Sequence, residues 1–157
     1  MPRRIDPRFV DNLIDAHVLD RKGNAEDVIV DAILELADNG TIILLLPYSV
    51  RDEINHPNTP AAVKHRALGL LFSAPVQLTG GESELYGRVL SLVQGNARSG
   101  KHDRDACHLV ESAKYGGYFL TNEKRLLKRG AEIRDLLGIE VVTPTEFLGI
   151  VREFEGT

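Results

Sequence analysis

At 157 residues the chain matches a single domain, for which about 150 residues is the usual length. Its 43% hydrophobic and 27% charged residues exclude both a disordered chain and a membrane-embedded one. With 19 Lys and Arg against 23 Asp and Glu the net charge is -4, which argues against a surface coated in positive charge for general nucleic-acid binding, while leaving room for a local basic patch.

The N-terminal Met1-Pro-Arg-Arg-Ile-Asp6 has charge without an apolar stretch behind it, so no secretory signal is expected. A short apolar strand is expected within Phe9 to Leu19, ending at Leu13-Ile14-Asp15. A charged turn, Asp20 to Asn24, follows. Asn24 with Asp27 three residues on is close to a capping box, and Glu26 and Asp27 suit the positive end of a helix. Ile29, Ala32, Ile33, Leu36 and Ala37 form an apolar stripe at helical spacing, stopped by Gly40. The run Thr41 to Leu46 reads as a strand buried on both faces, as a parallel sheet requires. Its apolar part, Ile42 to Leu46, is far too short to span a bilayer.

A short helix is expected from near Ser49 to His56-Pro57, and Thr59-Pro60 starts another with threonine as cap and proline at the first helical position. Pro75 to Leu78 reads as a short strand, and Leu85, Val89, Leu92 and Val93 mark a helix ending near Gly95. The loop Asn96 to His102 is polar and basic. Asp103 to Tyr115 reads as a helix stopped by Gly116-Gly117. It holds the only cysteine, Cys107, which excludes an intramolecular disulfide and a cysteine-based zinc site and fits a reducing, cytoplasmic setting. Tyr118 to Thr121 reads as a strand, Asn122 to Arg129 as a helix, Ile139 to Val142 as a strand, and Thr143-Pro144 opens a last helix to about Phe154. Such alternation implies a three-layer α/β/α sandwich with a mainly parallel central sheet.

Open parallel sheets hold ligands at the carboxyl ends of their strands. Asp15, Glu53, Asp105 and Glu123 all fall at strand ends or helix starts, hence on that one rim. Carboxylates gathered there repel one another unless a cation sits among them, and hard oxygen ligands suit Mg²⁺ or Mn²⁺. The chemistry such a site serves best is phosphodiester hydrolysis. Each of Glu53, Asp105 and Glu123 also has a simpler reading as a helix-dipole partner or cap. Asp15 carries the strongest single case, because an acid closing an apolar strand has no helix to cap.

The segments Leu13-Ile-Asp15-Ala-His-Val-Leu19, Val50-Arg-Asp-Glu53-Ile54, Asp105-Ala-Cys-His-Leu109, Tyr118-Phe-Leu-Thr121-Asn-Glu123-Lys-Arg-Leu126 and Val142-Thr-Pro-Thr-Glu-Phe-Leu148 together resemble a PIN domain. The resemblance runs from about Phe9 to Leu148, within a single domain spanning 1–157. It implies a metal-dependent ribonuclease with Asp15, Glu53, Asp105 and Glu123 as catalytic metal ligands for Mg²⁺ or Mn²⁺, some members being VapC-like toxins with an antitoxin partner. The family's fourth acid is usually aspartate where this chain has Glu123, and its usual Asp-Thr/Ser-Asn is here Asp15-Ala16-His17.

Arg98, Lys101 and Arg104 before the third acid, and Lys124 with Arg125, Lys128 and Arg129 beyond the fourth, are candidate contacts to RNA phosphates or a solvated face. Thr121 is a candidate to orient bound water or substrate, or a strand-end threonine favoured by propensity. His17 is a candidate substrate or metal contact, or a histidine packed beside the first helix, and His108 reads as structural. The partners implied are single-stranded or structured RNA, an antitoxin protein and a second copy in a homodimer, with no membrane. The competing function is a PIN-like module without catalysis that binds RNA or protein. A receiver-type phosphoacceptor is disfavoured because Thr41 to Leu46 closes on Leu46-Pro47 rather than on an acid.

Overall fold

The computed structural model describes residues 4–20, 22–47, 54–67, 70–72, 80–94, 108–110, 112–113 and 116–156. Among these residues five strands, β1 (Asp11–Ile14), β2 (Ile43–Leu46), β3 (Leu71–Phe72), β4 (Gly116–Leu120) and β5 (Glu140–Val142), form one sheet in the order β3-β2-β1-β4-β5. Every pairing is parallel. The helices are α1 (Ala25–Asp38), α2 (Ala61–Ala67), α3 (Gly80–Gln94), α4 (Lys124–Lys128), α5 (Gly130–Leu137) and α6 (Pro144–Glu155), with further helical residues at 54–55, 108–110 and 112–113.

Alternation along the strands produces the three layers. Ile14, Leu44, Leu46, Tyr118, Leu120 and Val142 face one core with Val30 and Ile33 of α1, Val63 of α2 and Phe147 and Val151 of α6. The interleaved Leu13 and Phe119 face a second core with Val89 of α3, Leu109, Leu126 of α4 and Ile133 of α5. A strand turns successive side chains to opposite faces, so a run that is apolar throughout feeds both cores. The chain winds outward from β1 to β3, crosses back to β4, and winds the other way. Helices α1 and α2 pack on one face of the sheet and α5 on the other, as right-handed crossovers in opposite directions require. The reversal lies between β1 and β4, the position at which open α/β sheets form a ligand crevice.

Local signals act largely as the sequence reading anticipates. Asn24 caps α1, its side chain accepting from Glu26 N at 2.9 Å. Asp27 does not close a box with Asn24 but accepts from Lys22 N at 2.9 Å and Gly23 N at 2.8 Å, binding the turn to the helix. Gly40, at φ +82°, follows the α1 C-cap Asn39. Thr143 caps α6, accepting from Glu146 N at 3.1 Å, with Pro144 in the first turn. Arg66 of α2 is buried, donating to Leu19 O at 3.0 Å and to Asp31 Oδ1 at 2.8 Å, which ties α2 to the segment after β1 and to α1.

Several expectations are corrected. Gly116 and Gly117 are not a helix stop but the start of β4. A Cβ on Gly117 would lie 2.8 Å from Val10 Cγ2, so glycine is there for close approach of the N-terminal segment. The strand after α2 is Leu71–Phe72, a two-residue edge too short for periodicity to reveal, whereas Pro75 to Leu78 lies outside the described residues. The helix from Asn122 to Arg129 is in fact Lys124–Lys128, followed by α5, an additional helix from Gly130. The helix after Thr59-Pro60 begins at Ala61, with Pro60 O accepting from Val63 N. The expected helix near Ser49 is described only at 54–55, and the loop Asn96 to His102 and Cys107 lie outside the described residues.

Candidate metal and nuclease site

Ile14 of β1 is in register with Leu120 of β4, and Leu120 with Val142 of β5. The residues that follow these three strand ends are Asp15, Thr121 and Thr143. The ladder runs on through them, with Asp15 N donating to Leu120 O and Thr121 N to Val142 O, both at 2.9 Å. Neighbouring strands lie about 4.8 Å apart and registered residues point the same way, so Asp15 and Thr121 project side by side. Thr121 Oγ1 donates to Asp15 Oδ2 at 3.0 Å and accepts from Glu123 N at 3.0 Å. One hydroxyl thus joins the carboxylate after β1 to the backbone of the acid after β4, at the switch point of the sheet.

Asp15 is buried, at 6% exposure. Its other oxygen, Oδ1, accepts from His17 N at 3.3 Å, because Ala16–Leu19 forms a single 3-10 turn that Asp15 caps. Asp15 therefore does have a helical turn to cap, which corrects the view that its place at a strand end leaves it no such role. Thr121 is fully buried, and its hydroxyl is engaged on both sides. It sits beside Asp15 with its side chain closed to solvent. Glu123 is exposed and is the N-cap of α4, Oε1 accepting from Arg125 N at 3.4 Å. Lys124 is exposed beside it.

His17 is exposed, its Nδ1 3.9 Å from Asp20 Oδ2. His108 is buried. Glu53, Asp105, Arg98, Lys101 and Arg104 lie outside the described residues. Of the four candidate ligands, the described residues therefore place two, Asp15 and Glu123, on one rim. Among the described residues no group of three His, Cys, Asp or Glu side chains is placed so as to hold a metal ion. The donor chemistry of Asp15 and Glu123, hard carboxylate oxygens, fits Mg²⁺ or Mn²⁺ and not a thiophilic metal.

The same rim carries a feature that the sequence reading missed. A groove of about 510 Å³ opens between the start of α1 and the start of α6, with Ala25 and Ile29 as apolar lining and Glu26, Asn122, Thr143 and Thr145 among its polar lining. Asn122 Nδ2 donates to Glu26 Oε1 across it. Glu26 had read only as a dipole partner of α1; its contact with Asn122 comes from the segment between β4 and α4, and no spacing in the chain signals that. Among the described residues no helix is long and apolar enough to cross a membrane. Compared with family models, with curated proteins and with solved structures, the chain has no match.

Proposed function

We propose that this protein is a metal-dependent endoribonuclease of the PIN type, hydrolysing RNA phosphodiester bonds. The reading rests on one observation above all: Asp15 and Glu123 flank the switch point of a parallel sheet, linked through the hydroxyl of Thr121. Asp15, Glu53, Asp105 and Glu123 would hold Mg²⁺ or Mn²⁺. Such an ion, when bound, activates water and neutralises charge on the phosphorus oxygens and the leaving group. The chain's own contribution is to hold Asp15 in one rotamer, by the Thr121 hydroxyl on one oxygen and the His17 N–H on the other. Lys124, with Arg98, Lys101 and Arg104, would supply phosphate contacts that position RNA without reading its sequence. Action as the toxin of a toxin–antitoxin pair, as a cytoplasmic homodimer, belongs to the same proposal.

A second reading, a PIN-like module that binds RNA or protein without cutting it, is favoured by Glu123, whose carboxylate caps its own helix. Cleavage of a labelled single-stranded RNA with Mn²⁺, with Mg²⁺ and with chelator separates the two, using wild type, Asp15→Asn and Asp105→Asn. The nuclease reading expects cleavage that needs metal and is lost in both variants. Cleavage persisting in Asp15→Asn overturns it. RNA binding that needs no metal and survives both substitutions, without cleavage, establishes the second reading.

A further inference from the structure

On the face opposite α3, helices α1 and α2 leave between them a groove of about 380 Å³ with Leu34, Ala37 and Leu70 as its apolar lining and His65 and Arg66 on the α2 side. One wall is acidic. Asp31, Glu35 and Asp38 follow one another at spacings of four and three along α1, so they stand in a row. Asp31 is engaged by Arg66 at 2.8 Å. Glu35 and Asp38 are exposed and, among the described residues, have neither a side-chain hydrogen bond nor an ion pair.

Their position adds to the negative field. Both lie in the last turn of α1, which holds no basic residue. The C-terminal end of a helix is its negative end, so carboxylates there are destabilising and a cation is favoured. A fourteen-residue helix with acids in its first turn as well has its charge matched to the dipole at one end and opposed at the other. Two unpaired acids, Glu35 and Asp38, beside an apolar lining are complementary to a segment that is basic and apolar in the same pattern.

We propose that the α1–α2 groove docks a basic amphipathic protein helix, its apolar side chains on Leu34, Ala37 and Leu70 and its Lys or Arg pair against Glu35 and Asp38. The spacing of three between those acids matches basic residues three or four apart on the partner. The groove includes the C-terminal end of α1, whereas Asp15 sits at the carboxyl ends of the strands, so docking leaves the candidate nuclease rim open. The inference stands independently of the nuclease reading.

The test is fluorescence anisotropy with a labelled leucine–lysine peptide patterned as an amphipathic helix, titrated with the full chain. Glu35→Lys with Asp38→Lys is expected to weaken binding by at least about tenfold, through loss and reversal of two charge contacts. Glu132→Lys with Asp135→Lys on α5 changes net charge equally and is expected to leave affinity unchanged. A peptide with serine for leucine, identical in charge, is expected to lose binding. Equal weakening by both double variants, equal affinity for the serine peptide, or no binding of the leucine–lysine peptide to the wild type overturns the proposal. Amide shifts confined to residues 34–38 and 64–67 on adding the peptide support it, and shifts confined elsewhere overturn it.

Discussion

Replacing Thr121 with valine keeps the shape of the side chain and removes only its hydroxyl. Two groups lose a partner at once: the buried Asp15 Oδ2 loses a donor, and the Glu123 N–H loses an acceptor, each from a 3.0 Å bond. A hydrogen bond to a carboxylate contributes about 1.5–3 kcal/mol, and one between neutral groups about 0.5–1.5 kcal/mol. Glu123 is exposed, so water can serve part of its N–H, and the sum comes to about 2–4 kcal/mol. In a domain of this size 1 kcal/mol corresponds to about 2–4 °C in Tm, so Thr121→Val should melt about 4–16 °C lower by circular dichroism. Thr121→Ser restores the hydroxyl and loses one buried methyl, about 0.8 kcal/mol, and should recover most of the difference. Combining Thr121→Val with Asp15→Ala gives a double-mutant cycle whose coupling should reach about 1 kcal/mol or more. A Thr121→Val protein within about 0.5 kcal/mol of wild type, or a cycle with no coupling, would refute the argument that this hydroxyl holds Asp15.

Gly117→Ala forces a Cβ to within 2.8 Å of Val10 Cγ2 and should destabilise by about 1–3 kcal/mol in urea unfolding, with Val10→Ala recovering part of the loss. Asn24→Ala removes the α1 cap and should cost about 1 kcal/mol, whereas Asn24→Ser should cost little, both read by thermal unfolding. The phenol of Tyr118 is pushed up from 10.0 to about 12, first by burial and then by the charge of Glu140. Folded Tyr118 thus holds its proton more tightly than the unfolded chain does, so its contribution is fully present below about pH 10 and fades as the pH rises through about 12. Tyr118→Phe gives up the 2.6 Å bond to Ile5 O but removes this dependence, so the wild type's advantage in urea titrations should shrink across that window. An advantage that stays constant with pH would show that the phenol does not titrate differently in the two states.

How much of this was legible in the chain follows from the range of each interaction. Period-two and period-3.6 patterns, the caps Asn24 and Thr143, and Gly40 act over a few residues, and they fixed the α/β alternation and four of the strands in advance. The two-residue β3 and the split of α4 from α5 were not legible. Their boundaries follow from pairing with β2 and packing against Leu13 and Phe119, not from local preference. Gly117 was misread because a glycine pair after an apolar helix has the same local signature whether it stops the helix or admits Val10 against a strand.

The shared edge of Asp15 and Glu123 was deducible: parallel order puts residues that follow strands on one edge, whatever the distances. What only the tertiary structure decided was the registration of Ile14 with Leu120, across more than a hundred residues of chain. That register sets Thr121 beside Asp15 and makes a strand-end threonine the support of a buried carboxylate. A hydrogen bond depends on ångström separations between atoms, and sequence spacing carries no such information about residues brought together by a sheet.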